Sequence, residues 1–215
     1  METSFGLFLL SAAAISLTGV MLPGPMTAVT IAKSYSDKNA GARIAVGHAV
    51  IELPLIVIIY LGFGYFIFSA QVVKVIYIVG GLALFYLGFR LFRSCLIYQA
   101  KPNKLGNYNI GEVVGLPSSS LVTGIVITGS NSAFYLWWVF VGMPLITRAA
   151  DFGMPGIILF TLVHWPCDLV WYEFLSVITF KTKKWWTERV QKTVFTICAF
   201  ILIGFGVWFC FSAFL

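Results

Sequence analysis

Six long apolar runs divide the chain, at about 4–32, 42–69, 72–92, 118–147, 153–180 and 191–214. A helix of about 20 apolar residues crosses the hydrocarbon layer of a bilayer, which is roughly 30 Å thick. Of the 215 residues 60% are hydrophobic and 10% charged, whereas about a quarter of a soluble domain is charged. The expected fold is therefore all-α: a polytopic membrane protein of six transmembrane helices in one domain, 1–215, with little chain left for a soluble module.

The first run is interrupted where lipid tolerates it least. Val20-Met21-Leu22-Pro23-Gly24-Pro25-Met26-Thr27 places two prolines and a glycine inside a span. Proline removes a backbone donor and blocks the helical ladder, and no water is present at that depth to replace the lost bonds. Such a break survives where it is packed in protein or lines a polar cavity. After Pro25 a half-helix begins within the membrane. Its first turn offers backbone N–H groups and the positive end of the helix dipole to an anion such as a carboxylate.

Charge fixes the expected orientation. Twelve of the 14 lysines and arginines fall on one side of the proposed spans, leaving only Lys74 and Arg148 on the other. The positive-inside bias puts the three basic loops in the cytoplasm and both termini outside the cell membrane. The net charge of +6 is then a topology signal and a contact for anionic headgroups, not a nucleic-acid surface. The longest loop, 93–117, carries Lys101-Pro102-Asn103-Lys104 and is expected to link two halves, about 1–95 and 118–215. Ser118 to Ser120 are expected to cap the fourth helix, and Trp185-Trp186 to anchor at the interface. Met1-Glu2 lacks the basic start of a cleavable signal, so the first span is expected to be retained. Cys95, Cys167, Cys198 and Cys210 are scattered without metal-ligand spacing.

The halves repeat one another. Gly19 to Pro25 in span one aligns with Gly124 to Ser130 in span four, and in the following span of each half a histidine precedes an acid by four residues: His48 and Glu52, His164 and Asp168. Three spans per half make the repeats inverted, a plan shared by many secondary transporters.

Glu52 and Asp168 sit near the midplane, where an acid costs about 2.5 kcal/mol or more and is directed inward. Spacing of i and i+4 places each histidine on the face of its acid. A pair of this kind can exchange a proton at physiological pH, as coupling to a proton gradient requires. Alternatively each histidine merely satisfies its own carboxylate. Glu173, deeper in span five, is either a third coupling acid or a partner of Lys181 or another interfacial lysine. The substrate-binding candidates are Pro23, Gly24, Pro25 and Thr27 at the first break and Gly129, Ser130, Asn131 and Ser132 at the second. At the second, small-residue helix packing is the plainer alternative. Half-helix N-termini opposite acids suit an amino acid, carboxylate to the dipoles and ammonium to the acids. The aromatic group Tyr135, Trp137, Trp138, Trp165, Trp171 and Tyr172 is expected to face lipid or the interface, with Trp171-Tyr172 able to share the face of Asp168.

Several of these segments together resemble the LysE/RhtB family of amino-acid exporters: Pro23-Gly24-Pro25; Gly41, Arg43 and Gly47; Gly80-Gly81, Tyr86-Leu87-Gly88 and Leu91-Phe92-Arg93-Ser94; Asp168 with Trp171-Tyr172. The likeness covers most of the chain. It implies a six-helix, cofactor-free exporter of the inner membrane that moves lysine, arginine, threonine, homoserine or similar solutes against protons. Met26 stands where that family commonly has Asn after P-G-P, and Asn131-Ser132 where it has N-P. The two His-x3-acid pairs look like the mark of a subgroup.

The expected activity is proton-coupled export of amino acids or related cationic or zwitterionic solutes, with the amino acid and membrane lipid as partners and homodimerisation left open. The alternative cargo is a divalent metal cation held by the same histidines and acids, whose donor types suit several first-row metals. No catalytic triad, phosphate loop or haem motif is present in the sequence, so an enzyme is not expected.

Overall fold

The computed structural model describes residues 4–64, 69–98 and 116–214. The described residues are helical, with short turns between. Among the described residues nine α-helices follow one another: α1 Phe5–Val20, α2 Pro25–Ser34, α3 Ala40–Tyr60, α4 Ala70–Tyr98, α5 Ser120–Ser130, α6 Ser132–Trp137, α7 Met143–Ala150, α8 Gly153–Thr182 and α9 Glu188–Ser212. A π-helical turn, Trp138–Gly142, joins α6 to α7.

Among the described residues five stretches are long and apolar enough to cross a bilayer unaided: Ala40–Tyr60, Ala70–Arg93, Ser132–Ala150, Gly153–Trp185 and Arg189–Ser212. The pair α1 and α2 passes only as a unit, bent by 70° at the break, and brings the number to as many as six. The bend follows from the sequence. Gly24, at φ −151° and ψ −170°, is the N-cap of α2, and Pro25 opens the new helix at its first position, where a missing N–H costs nothing.

Boundaries differ from the expected ones in physically simple ways. The fourth run is interrupted by a single extended residue, Asn131, at φ −92° and ψ 95°, and continues through the π turn as far as Ala150. Arg148 to Ala150 therefore belong to a helix and not to the fourth turn. Helix α4 reaches Tyr98 instead of stopping near 92, while the Lys101-Pro102-Asn103-Lys104 core of the longest loop lies outside the described residues. Ser119 is the cap foreseen for the fourth span, accepting from the backbone of Val122 at 3.4 Å. Lys33 is not a loop charge. It sits in the last turn of α2, is 4% exposed, and its Nζ donates to the carbonyls of Pro117 and Ser118.

Helices α3 and α8 form the centre. α3 packs on α5 and α8, and α8 also on α1, α2 and α7, while α4 and α9 pair along their length. Glycines allow backbones to touch at these crossings. A Cβ on Gly47 would lie 2.1 Å from the carbonyl of Leu121, and one on Gly124 2.2 Å from that of Ile44, so α3 and α5 meet through small residues as membrane helices do.

Two apolar clusters fill the interior. One gathers Val29, Ile44, Leu84, Ile127, Tyr172 and Leu202; the other gathers Phe8, Leu55, Ile56, Phe134, Trp138 and Phe160. Along α3 the buried members of the first cluster end at Ala45 and those of the second begin at Leu55. His48 and Glu52 fall at that gap. Along α8, His164 and Asp168 lie between Phe160 and Leu169 in the same manner.

Candidate functional site

Glu52 is the thirteenth of the 21 residues of α3, and Asp168 the sixteenth of the 30 of α8, so both acids stand about half-way along apolar helices. All four members of the two pairs are buried: His48, Glu52, His164 and Asp168 are exposed by 7% or less. They form one cluster and not two separate pairs. His48 Nε2 lies 3.0 Å from Glu52 Oε1 and 3.8 Å from Asp168 Oδ1. His164 turns away from its own acid. Its Nε2 lies 3.2 Å from Glu52 Oε1, across the helix interface. The reading in which each histidine satisfies the acid of its own helix therefore holds for His48 and not for His164.

Hydroxyl groups position the two rings from behind. His48 Nδ1 is 2.9 Å from Thr128 Oγ1, and His164 Nδ1 is 2.7 Å from Ser16 Oγ. The Ser16 hydroxyl donates its own hydrogen to the carbonyl of Ala12 at 2.6 Å. It is thus left to accept from the ring N–H of His164, which fixes the tautomer. Aromatic rings hold the imidazoles flat. His164 is stacked between Trp137 at 5.3 Å and Phe160 at 5.5 Å, and Phe134 meets His48 edge-on at 5.2 Å.

The cluster forms one wall of a cavity of about 350 Å³, a size suited to a small solute. The α1–α2 break lines it as well, with Pro23, Gly24, Pro25, Met26 and Thr27, and Asn131 lines it from the second break. Among the described residues no lysine or arginine lines it. Three polar atoms of its lining are buried without a protein partner: Glu52 Oε2, Asn131 Oδ1 and Trp138 Nε1. Buried polar groups are rarely left unpaired. Two of these atoms are acceptors and the third is a donor, which is the complement of an ammonium and a carboxylate.

The other candidate positions lie elsewhere. Gly129 supplies its carbonyl to the Tyr135 hydroxyl at 3.4 Å. The carbonyl of Ser130 packs against Gly80, where a Cβ would approach it to 2.2 Å. Ser132 donates to the carbonyl of Ile76 at 3.4 Å. Ser130 and Ser132 secure α4 against the second break, Gly129 bonds to α6, and none of the three lines the cavity, so the packing alternative describes them. Glu173 also stands apart, accepting from the backbone N–H of Ala42 at 2.8 Å. Asn39 provides no side-chain cap for α3, so Glu173 caps that helix from α8, with its charge on the favourable end of the dipole.

Sequence reasoning missed the aromatic wall. Trp138 is fully buried and Tyr172 is 5% exposed; both line the cavity together with Trp137 and Phe134. Trp137 and Trp138 were expected at lipid or the interface because nothing in an apolar run distinguishes an inward tryptophan from an outward one, whereas the sequence allowed Tyr172 to share the face of Asp168. Ser16 and Thr128 were missed as histidine partners, although a hydroxyl inside a span was a usable signal.

A mostly apolar cavity that carries two buried acids and two buried histidines, lined from both helix breaks, marks a membrane protein with a candidate solute site. The chain belongs to the LysE type translocator family, whose model matches residues 17–213, nearly its whole length. It is accordingly a multi-pass membrane exporter of small solutes. No curated protein and no solved structure matches it.

Proposed function

We propose that the chain exports amino acids or closely related cationic or zwitterionic solutes across the cytoplasmic membrane in exchange for protons, with both termini extracytoplasmic. The observation that carries this reading is the presence of anion-binding and cation-binding groups in one chamber. The first turn of α2 and the unpartnered Trp138 Nε1 line it together with the Glu52 and Asp168 carboxylates. A zwitterion engages both kinds of group at once, and its apolar part meets Phe134, Trp137 and Tyr172. Proton exchange is supported by the histidine–acid cluster, whose ionisable groups share hydrogens over 3.0 to 3.2 Å.

Two inverted halves are supported by the packing. Exchanging α1 with α5, α2 with α6–α7, α3 with α8 and α4 with α9 maps most helix contacts onto other contacts. The α3–α5 pair becomes α8–α1, α2–α8 becomes α7–α3, and α2–α9 becomes α6–α4. The two central pairs, α3–α8 and α4–α9, map onto themselves.

The test is flux in proteoliposomes with an imposed pH gradient and a panel of basic, hydroxylated and neutral amino acids. The wild type is expected to move at least one class. Glu52→Gln and Asp168→Asn are each expected to lower gradient-driven flux by at least about tenfold, as loss of about 1.4 kcal/mol would. Unchanged coupling in both variants would refute the acid roles, and no flux of any amino acid would refute the substrate class.

A further inference from the structure

We propose that His48, Glu52 and Asp168, joined by His164, form a binding site for one first-row divalent metal cation of the zinc or cobalt kind. One ligating atom from each of His48, Glu52 and Asp168 lies within 4.8 Å of the others. The two shorter separations are 3.0 Å and 3.8 Å. A tetrahedral site with bonds of about 2.0–2.1 Å has edges of about 3.3 Å, so these side chains stand close to the required spacing and need only small rotations.

The surroundings are those of metal-ligating histidines. Such a residue engages its second ring nitrogen with an acceptor, which fixes the tautomer and aims the other lone pair at the metal. Thr128 does this for His48 and Ser16 for His164. Ser16 has already committed its hydrogen to Ala12, so a neutral His164 presents a bare Nε2 lone pair to Glu52 Oε1 at 3.2 Å. The Thr128 hydroxyl reaches both Met26 Sδ at 3.7 Å and His48 Nδ1 at 2.9 Å; where it accepts from Nδ1–H, His48 Nε2 faces the same oxygen at 3.0 Å in the same way. Lone pairs facing one another at these distances require positive charge between them, as protons or as a metal ion. Glu52 Oε2 is an independent sign: it belongs to a side chain 2% exposed, has no protein partner, and lies in the cavity wall. Imidazole with carboxylate favours zinc, cobalt and nickel over magnesium and calcium, and the lining offers no thiolate to select copper(I). A bound metal displaces the protons it replaces, so occupancy and proton release are linked one site to the other.

This inference shares the chamber with the solute reading but does not depend on its cargo. The test uses full-length protein in detergent, freed of its affinity tag and of metal, titrated with Co²⁺ while its visible absorption is followed. The expected result is a saturable spectrum at one equivalent, displaced by Zn²⁺ and not by a hundredfold excess of Mg²⁺. X-ray absorption at the cobalt edge is expected to show nitrogen and oxygen ligands without sulfur. Glu52→Gln and His48→Gln are expected to weaken binding at least tenfold. Ser16→Ala is expected to weaken it about tenfold, with recovery in Ser16→Thr, the magnitude usual for a group supporting a ligand. A wild type with no saturable spectrum overturns the proposal, as does a sulfur-containing ligand set, or Co²⁺ affinity unchanged in Glu52→Gln and His48→Gln. Amino-acid flux in metal-free vesicles is measured separately, so neither reading falls with the other.

Discussion

At the scale of single residues, the chamber depends on what its neighbours leave room for. A Cβ on Gly142 would sit 2.1 Å from the Trp138 ring, and one on Gly19 2.7 Å from Trp137 Nε1. Each glycine is the seat of a tryptophan that lines the cavity. Gly142→Ala is expected to displace Trp138 and to cost about 1–3 kcal/mol, the range for overpacking a filled core; its Tm should fall and its solute affinity change together. Glu173→Gln tests a separate role. It is expected to keep transport but to lose about 1 kcal/mol of stability, typical of a lost helix cap, read as a lower Tm with unaltered flux. The cluster acids were legible in the sequence because an acid in an apolar run has few places to go. The crossing of His164 to Glu52 was not legible, since a four-residue spacing reports which residues share a face and not which neighbour that face meets.

At the scale of elements, the broken span decides what the rest can do. Helix α2 begins at the chamber and ends at a seam. Lys33 in its last turn binds the carbonyls of Pro117 and Ser118 just before α5, and Ser34 meets Ser176 of α8 at 2.8 Å. Ser176 in turn donates to the carbonyl of Lys38 at 2.7 Å. The basic end of the protein is therefore latched by buried polar bonds next to an exposed apolar coat. Removing Lys33 leaves two carbonyls without their charged donor, a loss of about 1.5–3 kcal/mol for such bonds. Lys33→Met is expected to open this end, measured as at least a threefold faster reaction of a cysteine placed at Thr30 with a membrane-impermeant thiol reagent added from the basic side. The breaks themselves could be read from Pro23-Gly24-Pro25, and less directly from Gly129-Ser130-Asn131-Ser132, where one extended residue, Asn131, interrupts the helix without a proline. Lys33 was misread because a lysine bordering an apolar run looks the same whether it faces water or two carbonyls.

At the scale of the whole molecule, the apolar runs and the family's motifs are enough to foresee a helical membrane protein, and the match over residues 17–213 agrees with that reading. Helix ends were less legible because apolar residues continue smoothly from α6 through the π turn into α7. The proposed inverted halves make a topological prediction: cysteines introduced at Ser4 and Ala213 should both label from outside intact cells, and one at Lys184 only after permeabilisation. Labelling of the two ends from opposite sides would exclude an even number of crossings. The burial of His48, Glu52, His164 and Asp168 about half-way along α3 and α8 also has an electrical consequence. A unit charge carried from that depth to either surface crosses only part of the field, a fraction of the roughly 2.3 kcal/mol available per 100 mV. A resting potential would then bear separately on movement toward each side, favouring the one that carries positive charge inward.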